Sequence, residues 1–523
     1  MKILIPMAGQ GKRFLRAGYA TPKPFMEVDG IPVVEHIVRN FSSQDDFVFG
    51  VNEEHLKNEA YRKTLERIAP RANILSIPYQ PDGPVAVLRR MFDAFANDEP
   101  VIVNYCDFSW SWDYPAFKKA VEANQADGAV LCYRGFHPHL LGPNKYATLD
   151  AERLWMKEIR EKHTWHGDKQ KDWTSSGTYY FGLGKILKEA CAEIEMHPEW
   201  KINGEFYVSQ LYQVLREKKR KVLIHEIPFM LQWGTPEDLE EYNYWSAYFR
   251  EKEEAPSERP VHDMNALILM AGAGKRFSDA GYKTAKPLIP VSGSPMVLAS
   301  AGSLPLGKKY LFAVRTDNPE TAGVTSAIRG LFSDVDFFPV GGLTEGQAST
   351  ALLTKDKLDP EAPLLIGACD HGILFDDQAF MAMTENPDVD ALILTFRNFP
   401  PVRRNPGAYG WVEADSSGKI SRVSVKVPLA GDPMNNHAII GSFWFRKAGI
   451  FFKYAEEMIA ENSRVNNEFY IDQCMNFLIR AGRGVHVFEV GRYVSWGTPD
   501  DLKVYQYWEM FFTQAWFHPL GKV

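Results

Sequence analysis

Two consecutive α/β domains, each a mainly parallel mixed sheet flanked by helices, are what this sequence predicts. Three observations lead there. Short apolar runs alternate with amphipathic stretches, a glycine-rich loop follows the first apolar run, and the whole pattern recurs 263 residues later, Gly9 returning as Gly272. Residues 3–6 are a short apolar run, 32–41 have helical spacing, 47–51 read as a strand and 53–68 as a charged helix. Residues 72–77 are apolar again, 85–95 are helical and 101–105 form a buried-type strand. Strands alternating with helices predict a largely parallel sheet covered on both faces. Such sheets bind ligands beyond the C-terminal ends of their strands. The loop after residues 3–6 and Asp107, after 101–105, therefore fall on one rim.

The repeat is dense. Met7-Ala8-Gly9-Gln10-Gly11-Lys12-Arg13-Phe14 returns as Met270-Ala271-Gly272-Ala273-Gly274-Lys275-Arg276-Phe277. The same offset links Lys23-Pro24 to Lys286-Pro287, Gly83 to Gly346, Cys106-Asp107 to Cys369-Asp370, and Tyr146 to Tyr409. It also links Glu205-Phe206-Tyr207 to Glu468-Phe469-Tyr470, and Trp233-Gly234-Thr235-Pro236 to Trp496-Gly497-Thr498-Pro499. Between Lys162/Lys426 and Gly177/Gly441 the offset slips to 264 and then returns. One register held this long marks a domain duplication, since solenoid repeats have periods of about 20–50 residues. The charged, proline-containing stretch from Glu251 to Pro260 is expected as a linker. The domains are accordingly 1–248 and 264–523, with 249–263 between them.

Bulk properties narrow the function. The net charge of −7 gives no electrostatic case for nucleic acid. No run of about 18 apolar residues exists to predict a membrane span. The five cysteines are scattered, without metal-site spacing, which fits a reducing compartment and a cytoplasmic location. Homo-oligomerisation is left open.

The chemistry concentrates in a few segments. Gly9 and Gly11 let the backbone approach a phosphate with its N–H groups forward, and Arg13 adds a permanent planar charge. A tight turn with solvated basic residues is the plainer alternative. Phe14 stands where a dinucleotide-binding fingerprint needs its third glycine, and Arg follows Gly11-Lys12 where a P-loop needs Ser or Thr.

The pattern GxGxR, a spacer and then Pro22-Lys23-Pro24 resembles the signature of sugar-phosphate nucleotidyltransferases, the NDP-sugar pyrophosphorylases, in both halves of the chain. The resemblance implies two tandem Rossmann-like nucleotidyltransferase domains. It implies that Ala8, Gly9 and Gly11 hold a nucleoside triphosphate, with Ala271, Gly272 and Gly274 as counterparts. Arg13 and Arg276 would neutralise the leaving pyrophosphate, and Lys23 and Lys286 would span the α-phosphate and the incoming phosphate. Gly83 and Gly346 would lie against the base. Gln80 would read a pyrimidine edge in the first half, where the second has Leu343. Asp107 and Asp370 would bind Mg²⁺, for which one carboxylate suffices because the ion keeps waters and takes substrate phosphates. Lys162, after Glu161, and Lys426, with no preceding Glu, would hold the acceptor's phosphate. Gly177, Glu205, Gly441 and Glu468 would line the acceptor site, although Glu205 and Glu468 read equally well as helix N-terminal acids.

The family's second metal-binding Asp is replaced by Gln232 and Ser495, which leaves that ligand unassigned. A glycosyltransferase is disfavoured because Asp107-Phe108-Ser109 lacks a DxD pattern. The expected partners are a nucleoside triphosphate and a phosphorylated small molecule. The expected function is a bifunctional tandem nucleotidyltransferase; the alternative is one catalytic domain beside a degenerate, ligand-binding regulatory one. A non-enzymatic nucleotide-binding module is a third reading.

Overall fold

A computed structural model describes residues 1–317, 320–332 and 334–513. They divide into two compact units at Ser246/Ala247, and residues 510–513 group with the first.

In the first unit, nine strands form one sheet. They are β1 (Lys2–Met7), β2 (Asp46–Asn52), β3 (Asn73–Ile77), β4 (Val101–Asn104), β5 (Gly128–Tyr133), β6 (Ala147–Glu152), β7 (Trp155–Glu161), β8 (Trp173–Phe181) and β9 (Val222–Glu226). Their order is β3-β2-β1-β4-β8-β5-β9-β7-β6. The strands around the glycine loop are parallel, with Ile3 opposite Phe47 and Ile102. β8 enters antiparallel between β4 and β5, which makes the sheet mixed. β1, β4 and β5 are almost wholly buried, which is why they read as unbroken apolar runs. The core packs Leu4, Val103, Val130 and Phe181 against Leu187 and Leu211, which lie on the helices Gly184–Ile194 and Val208–Glu217.

The second unit repeats this plan. β10 (Val261–Leu269), β11 (Leu306–Arg315), β12 (Val335–Val340), β13 (Leu364–Ala368), β14 (Ala391–Phe396), β15 (Trp411–Ala414), β16 (Ile420–Ser424), β17 (His437–Phe445) and β18 (Val485–Glu489) form its sheet. Seven of them run β12-β11-β10-β13-β17-β14-β18, and β15 pairs with β16 and β17. Leu267, Ile366, Ile393 and Phe443 pack on Phe451, Met475 and Leu478 from two helices, Ala448–Ala460 and Ile471–Arg480.

Two expectations change. Residues 53–68 form two helices, Glu53–Leu56 and Glu59–Ile68, because Asn58 caps the second by accepting from the Ala60 N–H at 3.0 Å. Residues 249–263, expected as a linker, are mostly regular structure. The helix Pro236–Glu254 runs through 249–254, and β10 takes up 261–263. The charges that suggested a linker have partners: Glu251 takes two bonds from Arg492, at 2.6 and 3.0 Å, and Lys252 donates to the Tyr505 hydroxyl at 2.8 Å. Among the described residues, no helix is long and apolar enough to cross a membrane.

Candidate active sites

At the C-terminal ends of β1 and β4 the first unit opens into a cavity of about 500 Å³. Ala8, Gly9, Gly11, Arg13, Lys23, Gln80, Gly83, Asp107 and Glu205 all line it, although they are drawn from five separate segments. Lys23 Nζ lies 2.8 Å from Asp107 Oδ2 and 3.1 Å from the Gly234 carbonyl oxygen. Gly83 has φ of 91°, and a Cβ there would meet Glu205 Cβ at 2.8 Å, so only glycine lets these two loops close on each other.

The second unit assembles the matching residues around three smaller cavities of about 340, 370 and 300 Å³. Ala271, Gly272, Gly274, Lys286, Gly346, Asp370, Gly441 and Glu468 line the second of these. Arg276, Asp370, Lys426 and Gly441 line the third. Lys286 Nζ lies 2.5 Å from Asp370 Oδ2, repeating the first unit's central pair. Burial opposes the Asp370 charge, but Lys286 and His371 outweigh it and hold the carboxyl far below the usual range. Burial likewise opposes the Lys286 ammonium, and Asp370 more than compensates, so its pKa is raised. The adjoining thiols, Cys106 and Cys369, are pushed up to about 12 by burial and then by the neighbouring aspartates. They stay protonated and offer no thiolate nucleophile.

Some expected site residues lie elsewhere. Lys162 is outside the first cavity, and its backbone N–H donates to the Tyr146 carbonyl oxygen at 2.9 Å. Gly177 is also outside it. Its φ of 96° forms a bulge between β8 and β5, and a Cβ would strike the Phe108 ring at 2.8 Å, which explains the glycine without a ligand. Glu205 and Glu468 are not helix N-terminal acids. Each closes a tight turn, with Ile202 and Val465 respectively, before helices that begin at Val208 and Ile471. Two arginines at the same repeat offset, Arg134 and Arg397, were not among the expected site residues, and they pair with Glu226 and Glu489. Trp233 and Trp496 are buried.

The structure also brings in residues that motif reading passed over. Tyr207 lines the first cavity, and Tyr470, at the same repeat offset, lines the third cavity of the second unit. Asp238 Oδ2, Gln232 Oε1 and Asp107 Oδ2 all lie within 4.0 Å of where a Cβ on Gly234 would be. Asp501, the counterpart of Asp238, lines a cavity with Asp370 and accepts from Ser495 Oγ at 3.1 Å. Burial raises the pKa of both Asp238 and Asp501, against hydrogen bonds from Thr235 and from Thr498 and Ser495. Their recurrence at offset 263 was the signal available in the sequence. Among the described residues, no three or more His, Cys, Asp or Glu side chains gather as a metal cluster.

Comparison with known proteins identifies the class. Residues 3–166 match the MobA-like NTP transferase domain, and residues 265–502 match the nucleotidyl transferase domain. The chain thus carries two nucleotidyltransferase domains in tandem. No curated protein matches it. Similar solved structures include a nucleoside-diphosphate-sugar pyrophosphorylase from Vibrio cholerae RC9, 22% identical over 46% of this chain and 99% of that one, with a TM-score of 0.39. An apo UDP-glucose pyrophosphorylase is 18% identical over 48% and 98%, with a TM-score of 0.38. The inositol-1-phosphate CTP transferase of T. maritima is 15% identical over 47% and 95%, also with a TM-score of 0.38.

Proposed function

We propose that each half is a nucleotidyltransferase active site that joins a nucleoside triphosphate to a phosphorylated small molecule, a sugar phosphate in the first instance, and releases pyrophosphate. The chain is then bifunctional. The observation that carries this reading is the lysine–aspartate pair at the mouth of each glycine loop, 2.8 Å apart in one half and 2.5 Å in the other. In this reading the acceptor phosphate oxygen attacks the α-phosphorus and the bond to the β-phosphate oxygen breaks. Lys23 and Lys286 neutralise charge on the α-phosphate and the incoming phosphate, while Arg13 and Arg276 neutralise the departing pyrophosphate. Phosphoryl-group chemistry of this kind needs little beyond alignment and charge stabilisation.

Asp107 and Asp370 fit a divalent cation. Each presents a carboxylate to a cavity, with a second acid, Asp238 or Asp501, close by. Mg²⁺ suits that donor set, because it takes its remaining ligands from water and phosphate. When bound it would shield the triphosphate and polarise the α-phosphorus. The five free cysteines support a reducing, cytoplasmic setting.

The test is pyrophosphate release with Mg²⁺, crossing the common nucleoside triphosphates with sugar and non-sugar phosphates, for wild type, Asp107→Ala and Asp370→Ala. Two products, each lost in a different variant, support bifunctionality. One product lost only in Asp107→Ala makes the second half a binding domain. No pyrophosphate from any pair overturns the proposal.

A further inference from the structure

We propose that Asp472 is the positioning residue for the acceptor lysine of the second half, its carboxylate doing from a helix what Glu161 does from a strand in the first. This rests on the reading of Lys162 and Lys426 as ligands of the acceptor phosphate. Both lysines follow their strands, β7 and β16, in the left-handed backbone region, with φ of 53° and 60°. In the first half Glu161 immediately precedes Lys162, and Ser209, on the helix Val208–Glu217, donates its hydroxyl to Glu161. In the second half Val425 stands in place of Glu161, and Asp472, on the helix Ile471–Arg480, stands in place of Ser209. The carboxylate has moved from one side of the subsite to the other.

A third exchange makes room for the move. Ala147 of the first half becomes Gly410, and a Cβ on Gly410 would fall on Asp472 Oδ2, far inside van der Waals contact. An acid placed only to favour a helix N-terminus would require neither the lost Glu nor the lost methyl. Asp472 lines the same cavity as Arg276, Ala408, Tyr470 and Lys426, and Lys426 Nζ donates to the Ala408 carbonyl oxygen. Burial lowers the Lys426 pKa, and Asp472 is the strongest influence opposing that loss of charge. A desolvated ammonium that must hold a phosphate needs such a counter-charge. Arg276 opposes the Lys426 charge, and Glu468 and Asp370 support it more weakly than Asp472 does. Half-buried Glu161 in the first half and buried Asp472 in the second are thus the leading counter-charges of the two lysines.

The test uses the full chain and two readouts that need no turnover. Lysines are acetylated competitively with trace acetic anhydride across pH, and the Lys426 and Lys162 peptides are quantified by mass; inorganic phosphate is then titrated as a protecting anion. In Asp472→Ser the pH midpoint of Lys426 labelling falls and phosphate protects about tenfold less well, while Lys162 is unchanged. In Asp472→Ser/Val425→Glu/Gly410→Ala, which rebuilds the first half's arrangement, both return towards wild type. A structural role for Asp472 would not be rescued from a different element. Should Asp472→Ser fail to fold, the triple variant carries the test. An unchanged Lys426 midpoint in Asp472→Ser, or no recovery in the triple variant, overturns the inference. Absence of pyrophosphate release would sink the proposed function and leave the Lys426 midpoint result standing.

Discussion

The residues proposed for the triphosphate mostly recur unchanged between the two halves, whereas those around the proposed acceptor lysines do not. Gly9, Gly11, Arg13, Lys23, Gly83 and Asp107 all have identical counterparts, down to the ion pair between lysine and aspartate. Around the proposed acceptor lysines, Glu161, Ser209 and Ala147 of the first half are replaced by Val425, Asp472 and Gly410 in the second. The phosphate side must satisfy one fixed distribution of negative charge, which few side-chain arrangements can do. The lysine proposed for the acceptor needs only a carboxylate nearby, and that can be supplied from either of two elements.

The comparison breaks first if the paired lysines are not equivalent. Lys23→Ala and Lys286→Ala should each lower turnover of one product by about 10³-fold, as expected for removing a preorganised charge, with pyrophosphate release as the measurement. Equal loss of both products from a single variant would mean the halves do not act separately. The relocated carboxylate is sharpened by packing. Gly410→Ala should destabilise the second half by about 2 kcal/mol through overpacking against Asp472. Part of that cost should disappear in Asp472→Ser, the rest coming from Ile439 Cδ1, which the same Cβ would meet at 2.9 Å, and a double-mutant cycle in denaturant would measure the coupling. Base reading is expected to differ more modestly. Gln80→Leu, which imports the second half's residue, should shift relative kcat/KM between nucleotides by about tenfold, the worth of one hydrogen bond.

Smaller again is a pH effect. Burial raises the Asp472 pKa despite Lys426. The folded chain therefore holds this proton to higher pH than the unfolded chain. The stability this provides is fully present below about pH 4, the ordinary carboxylate value, and is lost as pH rises through the raised value. Asp472→Asn should flatten that decline in thermal melts taken across pH, while Ser209→Asn in the first half should not. Arg134→Ala and Arg397→Ala should be least consequential, within about 0.5 kcal/mol in denaturant, because both make exposed ion pairs.

The duplication, the two sheets and the phosphate loops were legible in the sequence because their signals are local. Apolar runs buried on both faces mark β1 and β4, and Gly9 to Arg13 carry their chemistry within five consecutive residues. Other features misled for an equally physical reason. Glu205 resembles a helix cap until the turn with Ile202 is seen, and residues 249–254 resemble a linker until Glu251 and Lys252 find partners far along the chain. By itself the sequence determined that there are two nucleotidyltransferase domains, and it singled out Gly9, Gly11, Arg13, Lys23, Gly83 and Asp107, which the fold gathers at one cavity. Only the tertiary structure decided that Asp472 stands in for Glu161, and that Asp238 and Asp501 reach the rim beside Asp107 and Asp370. A counter-charge acts through space, so it need not keep its place in the chain. The folded arrangement of strand, helix and the gap at Gly410 specifies where it comes from.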